Sequence, residues 1–65
     1  MDREFIRKIK HLAVDSPLKR GDIAEKMGLS GATISNYFNG ITDPDSYTKD
    51  ELIKILEDSI AGFGK

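Results

Sequence analysis

Two short helical patterns separated by a short turn that begins with a glycine constrain the fold more than any other feature of the sequence. They predict helices at about residues 20–27 and 31–38, with Gly28 between them in the left-handed conformation that ends a helix. Two short helices joined by three or four residues cross at a steep angle, so a small residue, Ala24, is needed where they meet. The apolar positions expected to face the core are Ile23, Met27, Leu29, Ile34 and Tyr37.

A further helix is expected on each side of this pair. The first is predicted at about residues 3–14, because five apolar residues recur there at helical spacing, and Ser16-Pro17 follows it. The last is predicted to begin with Thr48 as N-cap in a capping box with Glu51, and to end at 61–62. A hydrophobic staple between Tyr47 and Leu52 accompanies that box.

No alternation of apolar and polar residues indicates a strand, so the predicted fold is all-α: a compact domain of four to five helices. With 65 residues the chain forms one domain, which we place at residues 1–62, and residues 63–65 are expected to be a flexible tail or the start of a linker. The chain contains no cysteine to staple it, so its stability rests on apolar packing and on the helix ends.

The composition also narrows the function. No apolar run reaches the roughly 18 residues of a membrane span, and residues 1–4 do not resemble a secretory signal, so we expect a cytoplasmic protein without membrane partners. No nucleophile–base pair, phosphate-binding glycine loop or metal-ligand cluster is visible. We therefore expect no enzyme activity, no catalytic residues, no cofactor or metal, and no small-molecule substrate.

Charge is distributed unevenly along a chain whose net charge is −1. Residues 1–20 hold six basic residues against three acidic ones, a balance of +3, whereas residues 43–65 hold three against six, a balance of −3. The net charge argues mildly against a nucleic-acid partner, but a dipolar domain can still present a positive face to phosphate. The alternative interpretation of this pattern is two ordinary solvated helix faces.

The stretch from Asp22 to Ser30, with its continuation from Ile34 to Ile41, resembles the helix-turn-helix of the Cro and phage-repressor family. The likeness is to the N-terminal DNA-binding domains of lambda-like phage repressors. It rests on Ala-x-Lys-Met-Gly at 24–28, Phe-Asn-Gly-Ile at 38–41, Tyr47 and Lys-Ile-Leu at 54–56. The lac-repressor family shares part of this sequence pattern, but its members normally begin with the motif itself and lack a preceding amphipathic helix.

The resemblance implies sequence-specific binding of double-stranded DNA by a transcriptional regulator, such as a phage-type repressor, through a motif at about 20–39. A recognition helix at about 31–38 would lie in the major groove, and a homodimer would bind a palindromic operator. The implied base-contacting residues are Gly31, Ala32, Thr33, Ser35 and Asn36. The implied phosphate-contacting residues are Lys19, Arg20, Ser30 and Asn39.

The sequence departs from the family pattern at two positions of the recognition helix. Gly31 has no side chain where lambda-like repressors carry a base-reading glutamine, and Ala32 offers only a methyl group. Direct readout is therefore expected to be limited, with more of the specificity left to DNA shape. These small residues and the acidic balance also keep an alternative open: a protein–protein interaction module of the same fold, such as an antirepressor or co-activator.

Overall fold

The computed structural model describes residues 2–63, and this part of the chain forms four α-helices and no strands. They are α1 (Arg3–Asp15), α2 (Arg20–Met27), α3 (Gly31–Phe38) and α4 (Ser46–Phe63). The predicted all-α class is therefore confirmed. The last helix continues through its expected end at 61–62, and Phe63, assigned from sequence to the tail, is its final residue. Residues 64 and 65 of the predicted tail lie outside the described residues.

Both ends of helix α1 are capped by the residues that flank it in the sequence, Asp2 and Ser16. The Asp2 carboxylate accepts a hydrogen bond from the Phe5 N–H at 3.0 Å, which satisfies one free donor of the first turn. At the other end, the Ser16 N–H donates to the Leu12 carbonyl at 3.0 Å. The Ser16 hydroxyl accepts the Leu18 N–H at 3.1 Å and lies 2.6 Å from the Ser59 hydroxyl. This hydroxyl pair ties the α1–α2 connection to α4.

Helices α2 and α3 end in the same way, with a glycine in the left-handed region. Gly28 has φ 70°, and the next N–H, that of Leu29, donates to the Ala24 carbonyl at 2.8 Å. Gly40 has φ 72°, and the N–H after it donates to the Asn36 carbonyl at 2.9 Å. These are Schellman closures, in which glycine avoids the steric cost of positive φ. The predicted ends of both helices are confirmed.

The predicted start of α4 is wrong. The helix begins at Ser46 because the Asp45 carboxylate accepts the Thr48 N–H at 2.9 Å, so the cap lies three residues before the predicted one. Tyr47 is 75% exposed and Leu52 is fully buried, which excludes the hydrophobic staple. Both sites offered an acceptable capping side chain, and the structure uses the earlier one.

Among residues 2–62, every helix contributes two residues to the buried core. These residues are Phe5 and Ile9 from α1, Ile23 and Ala24 from α2, Ile34 and Phe38 from α3, and Leu52 and Leu56 from α4. Tyr37 and Met27 pack against this core and are half-buried. Leu29 differs from its prediction as a core residue: it is 37% exposed, because it lies in the turn just after Gly28.

Helix α1 packs mainly on α4, and α2 packs mainly on α3, with further contacts joining the two pairs. A lysine strengthens the first pairing: the Lys49 Nζ lies 3.2 Å from a carboxylate oxygen of Asp2 and 3.2 Å from one of Asp43. It also lies 5.6 Å from the centre of the Phe5 ring. Among the helices described, none is both long enough and apolar enough to cross a membrane.

Candidate functional site

One side of α3 is held in the core, which leaves its opposite side to the surface. Ile34 and Phe38 are buried and lie four residues apart, on a single helix face. Among the predicted base-contacting residues, Gly31 and Ala32 are exposed. The other three, Thr33, Ser35 and Asn36, are half-buried. The outer surface of α3 is therefore formed by small and polar side chains, as the helical pattern predicts.

Two hydroxyl groups close the first turn of α3. The Ser30 Oγ accepts the Thr33 N–H at 3.2 Å, so Ser30 is the N-cap that the sequence predicts. Its hydroxyl also lies 2.8 Å from the Thr33 hydroxyl. Ser30, predicted to contact phosphate, and Thr33, predicted to contact bases, are thus joined to each other at the helix start, which fixes the orientation of both side chains.

Arg20, the first residue of α2, reaches across to α3. Its Nη1 donates to the Ser35 hydroxyl at 3.2 Å, and its guanidinium carbon lies 4.9 Å from the centre of the Phe38 ring. A guanidinium stacked on an aromatic ring and bonded at one edge retains further N–H donors for another acceptor. A predicted phosphate-contacting residue and a predicted base-contacting residue are therefore brought together on one surface.

The two remaining predicted phosphate contacts lie at helix ends and are exposed. Lys19 precedes α2, and its backbone N–H donates to the Asp22 carboxylate at 3.0 Å. That carboxylate supplies the end closure for which the Lys19 side chain is unsuited. Asn39 follows α3, and its N–H donates to the Ser35 carbonyl at 2.9 Å. The Asn36 carboxamide takes no part in the hydrogen bonds between Arg20 and Ser35 or between Ser30 and Thr33.

A further basic residue beside this surface was not among the sequence predictions. Lys10 of α1 lines a shallow groove together with Arg20 and Phe38. A local signal was present: Arg3, Arg7 and Lys10 recur at spacings of four and three residues, which puts them on one side of α1. What the sequence could not indicate was that this side lies next to the start of α2.

Among residues 2–63, the ionisable groups with perturbed pKa values lie elsewhere, at the starts of α1 and α4. The N–H of Phe5 and the ammonium of Lys49 lower the pKa of Asp2. The hydroxyl and N–H of Thr48 lower the pKa of Asp45. Burial opposes the charged form of Lys49, but its bonds to Asp43 and Asp2 outweigh that effect and raise its pKa. These shifts report helix capping and ion pairing, which are structural roles.

Neither a metal site nor a comparison with known proteins assigns a function to this surface. Among residues 2–63, no three His, Asp or Glu side chains gather in a way that could hold a metal ion. No protein-family model, curated protein or solved structure matches the chain.

Proposed function

We propose that the chain binds double-stranded DNA in a sequence-specific manner and regulates transcription, with α2 and α3 acting as a helix-turn-helix. In this proposal the domain has a lambda-repressor-like fold, and α3 is the recognition helix. The resemblance of residues 22–41 to the Cro and phage-repressor family motivates the proposal. The three-residue connection between α2 and α3, closed by Gly28 at φ 70°, is compatible with it.

The observation that carries the proposal is the contact between Arg20 and Ser35. It puts a cation from α2 at the edge of the polar face of α3, with the guanidinium already oriented by the Phe38 ring. A helix that enters the major groove needs a polar face for the base edges and cations beside it for the flanking phosphates. Arg20 would contact phosphate through the donors that Ser35 leaves free.

Within the groove, Asn36 is the side chain best suited to read a base. A carboxamide can form two hydrogen bonds with adenine in the major groove, and the methyl group of Ala32 or Thr33 can contact that of thymine. Gly31 and Ala32 add little bulk to the exposed start of α3, so its backbone can approach the bases closely. The limited number of reading side chains leaves part of the specificity to DNA deformability.

A single helix of eight residues reads only a few base pairs, so we propose that the chain acts as a homodimer on a palindromic operator. The two recognition helices would then occupy half-sites about one turn of DNA apart. Selection of random double-stranded DNA with the purified protein tests this proposal directly. We expect an enriched, two-fold-symmetric site whose affinity falls steeply with salt, by about 0.9 log unit per log unit of salt for each phosphate contacted.

Two asparagine substitutions separate readout from anchoring on the selected site. Asn36→Ala should cost about 1–3 kcal/mol of discrimination at one base pair and should have little effect on random DNA. Asn39→Ala removes the same group from a predicted phosphate contact, and it should weaken specific and random DNA alike. Arg20→Ala should resemble Asn39→Ala and should also reduce the salt dependence. Equal losses on both DNAs for Asn36→Ala would contradict its reading role.

The second candidate function is a protein–protein interaction module of the same fold. One observation favours it: Tyr47 is 75% exposed on α4 and lines a groove whose other lining residues are Asp50, Glu51, Lys54, Ile55 and Asp58. Exposed tyrosines are enriched at protein–protein interfaces, and the three carboxylates of this groove would repel DNA phosphate. Absence of DNA binding at low salt, together with capture of a partner that Tyr47→Ala abolishes, would favour this function.

A further inference from the structure

We propose that the groove between α1 and the start of α2 holds the DNA sugar–phosphate backbone, with Lys10 as a phosphate contact outside the helix-turn-helix. This inference rests on the proposed DNA-binding function and extends the contact surface to α1. The groove is shallow and lies beside the polar face of α3, because Arg20 takes part in both. Its lining residues are Lys10, Ala13, Val14, Leu18, Arg20, Ile23 and Phe38.

The charge of this groove selects an anionic occupant. Its two charged lining residues, Lys10 and Arg20, are both cations. Neighbouring grooves differ: one near α2 contains Asp22 and Glu25, and one between α1 and α4 contains Asp2 and Glu4 among its lining residues. A phosphate entering the Lys10 groove would therefore meet no carboxylate among the lining residues.

Helix geometry explains why positive charge collects on this side of α1. Arg3, Arg7, Lys10 and Val14 are separated by four, three and four residues, so they follow one stripe of the helix. Glu4 and Lys8 belong to the other side, where they line the groove shared with Asp2 and Asp50. The Lys10–Val14 end of this stripe thus borders the groove that Arg20 lines, whereas the side of α1 with Glu4 and Lys8 borders α4.

The floor of the groove suits a sugar–phosphate chain better than a free anion. Val14 is 83% exposed and lies among the lining residues with Ala13 and Leu18, so an apolar surface adjoins the two cations. Deoxyribose presents C–H groups next to each phosphate, and both parts of the backbone would find matching chemistry here. The acidic surface of a second copy of the chain could occupy the groove in place of DNA. Self-association measured without DNA distinguishes these two occupants.

Lys10→Ala tests the contact, with Lys8→Ala as the matched control from the other side of α1. Both lysines are exposed, and both variants remove one positive charge. On the selected DNA site, Lys10→Ala should reduce the salt slope by about 0.9, which makes binding about eightfold weaker at 0.1 M salt and unchanged when extrapolated to 1 M. Lys8→Ala should leave the slope unchanged.

Val14 supplies a second variant that does not depend on removing a lysine. Its exposure means that Val14→Glu and Val14→Gln have nearly the same small effect on the core, and helicity measured by circular dichroism checks this. Val14→Glu should weaken DNA binding at low salt, because the new carboxylate repels phosphate, whereas the uncharged Val14→Gln removes only the apolar contact and should weaken binding much less.

Three results would overturn the inference, and they differ in what else they affect. Equal salt slopes for Lys10→Ala and Lys8→Ala would reject the groove contact and leave the proposed function intact. Absence of salt-dependent DNA binding by the unaltered protein would reject both. A shift of self-association by Lys10→Ala without DNA, with an unchanged slope on DNA, would instead assign the groove to a second copy of the chain.

Discussion

Gly28 and Gly21 both belong to the region of α2, but a methyl group would act differently at each. Neither position has an atom within 4 Å of where a Cβ would lie, so packing does not distinguish them. Gly28 has φ 70°, which other residues adopt at a cost, whereas Gly21 lies within the helix. The difference between the two sites is therefore one of backbone conformation alone.

We expect Gly28→Ala to lower the free energy of unfolding by about 1–2 kcal/mol, because alanine is strained in the left-handed conformation. Gly21→Ala should raise the same quantity by about 0.5–1 kcal/mol, because alanine loses less entropy in a helix. Urea denaturation followed by circular dichroism measures both. Similar shifts of the same sign would show that Gly28 does not close α2 in the left-handed conformation.

Gly31 offers a residue-scale test of which face of α3 meets DNA. It is exposed at the first position of the helix, and no atom lies within 4 Å of the place that a Cβ would take, so Gly31→Gln should not destabilise the fold. On the proposed function, the new carboxamide should reach a base edge and alter the preference at one base pair, as measured by DNA selection.

The matched control for this change is Gly31→Ala, which adds a Cβ without an amide. It should stabilise α3 by up to about 1 kcal/mol and leave the base preference unchanged. If the glutamine variant selects the same DNA as the alanine variant, the start of α3 does not face the bases.

At the scale of a whole element, α4 shows how two acceptable caps compete. Asp45 accepts the Thr48 N–H at 2.9 Å and is the cap in use, whereas the predicted box needs Glu51 to close back on Thr48. We expect Asp45→Ala to lower the Tm by roughly 5 °C, the usual effect of losing a helix cap in a domain of this size.

Glu51→Ala is the control for that experiment, because it removes the partner that only the predicted box requires. It should change the Tm by less than Asp45→Ala does. The reverse order, with Glu51→Ala the more harmful of the two, would mean that α4 begins at the predicted cap in solution.

The helices differ in how far their limits follow from the sequence. The ends of α2 and α3 were predictable because a glycine at the end of a helical pattern, Gly28 or Gly40, is enough to indicate where the helix stops. The start of α4 was not, because two capping signals lie three residues apart and local rules do not rank them. The Arg20–Ser35 contact spans 15 residues and depends on how α2 lies on α3, so no local pattern reveals it.

In the protein as a whole, the helix caps formed by Asp2 and Asp45, together with the ion pair between Asp2 and Lys49, make stability depend on pH. The folded protein holds the pKa of Asp2 below its ordinary value of 3.8, and it does the same for Asp45. At pH values between the pKa of Asp2 in the folded protein and 3.8, the unfolded chain binds more protons than the folded protein does. The stabilisation is thus complete above pH 3.8 and is lost as pH falls through the folded pKa.

We expect Asp2→Asn to reduce the loss of stability on acidification, although Asp45 will maintain part of it. Urea denaturation at a series of pH values from neutral to acid measures this slope. Asp15→Asn, at the other end of α1 and away from Lys49, serves as control. An unchanged acid slope for Asp2→Asn would contradict the structural role given to Asp2.

The raised pKa of Lys49 predicts a complementary loss of stability at high pH, which begins only above the ordinary lysine pKa of 10.5.

Helix α3 is fixed at both ends and along its inner side, by the Ser30 cap, by the Gly40 closure and by the buried Ile34 and Phe38. Its outer side chains are therefore presented by a backbone that is already ordered before any partner arrives. Ordering a flexible segment during association consumes binding free energy, and a preorganised surface avoids most of that loss. The adaptation needed for a close fit must then come from the partner, and a deformable molecule will bind this surface better than a rigid one of equal charge.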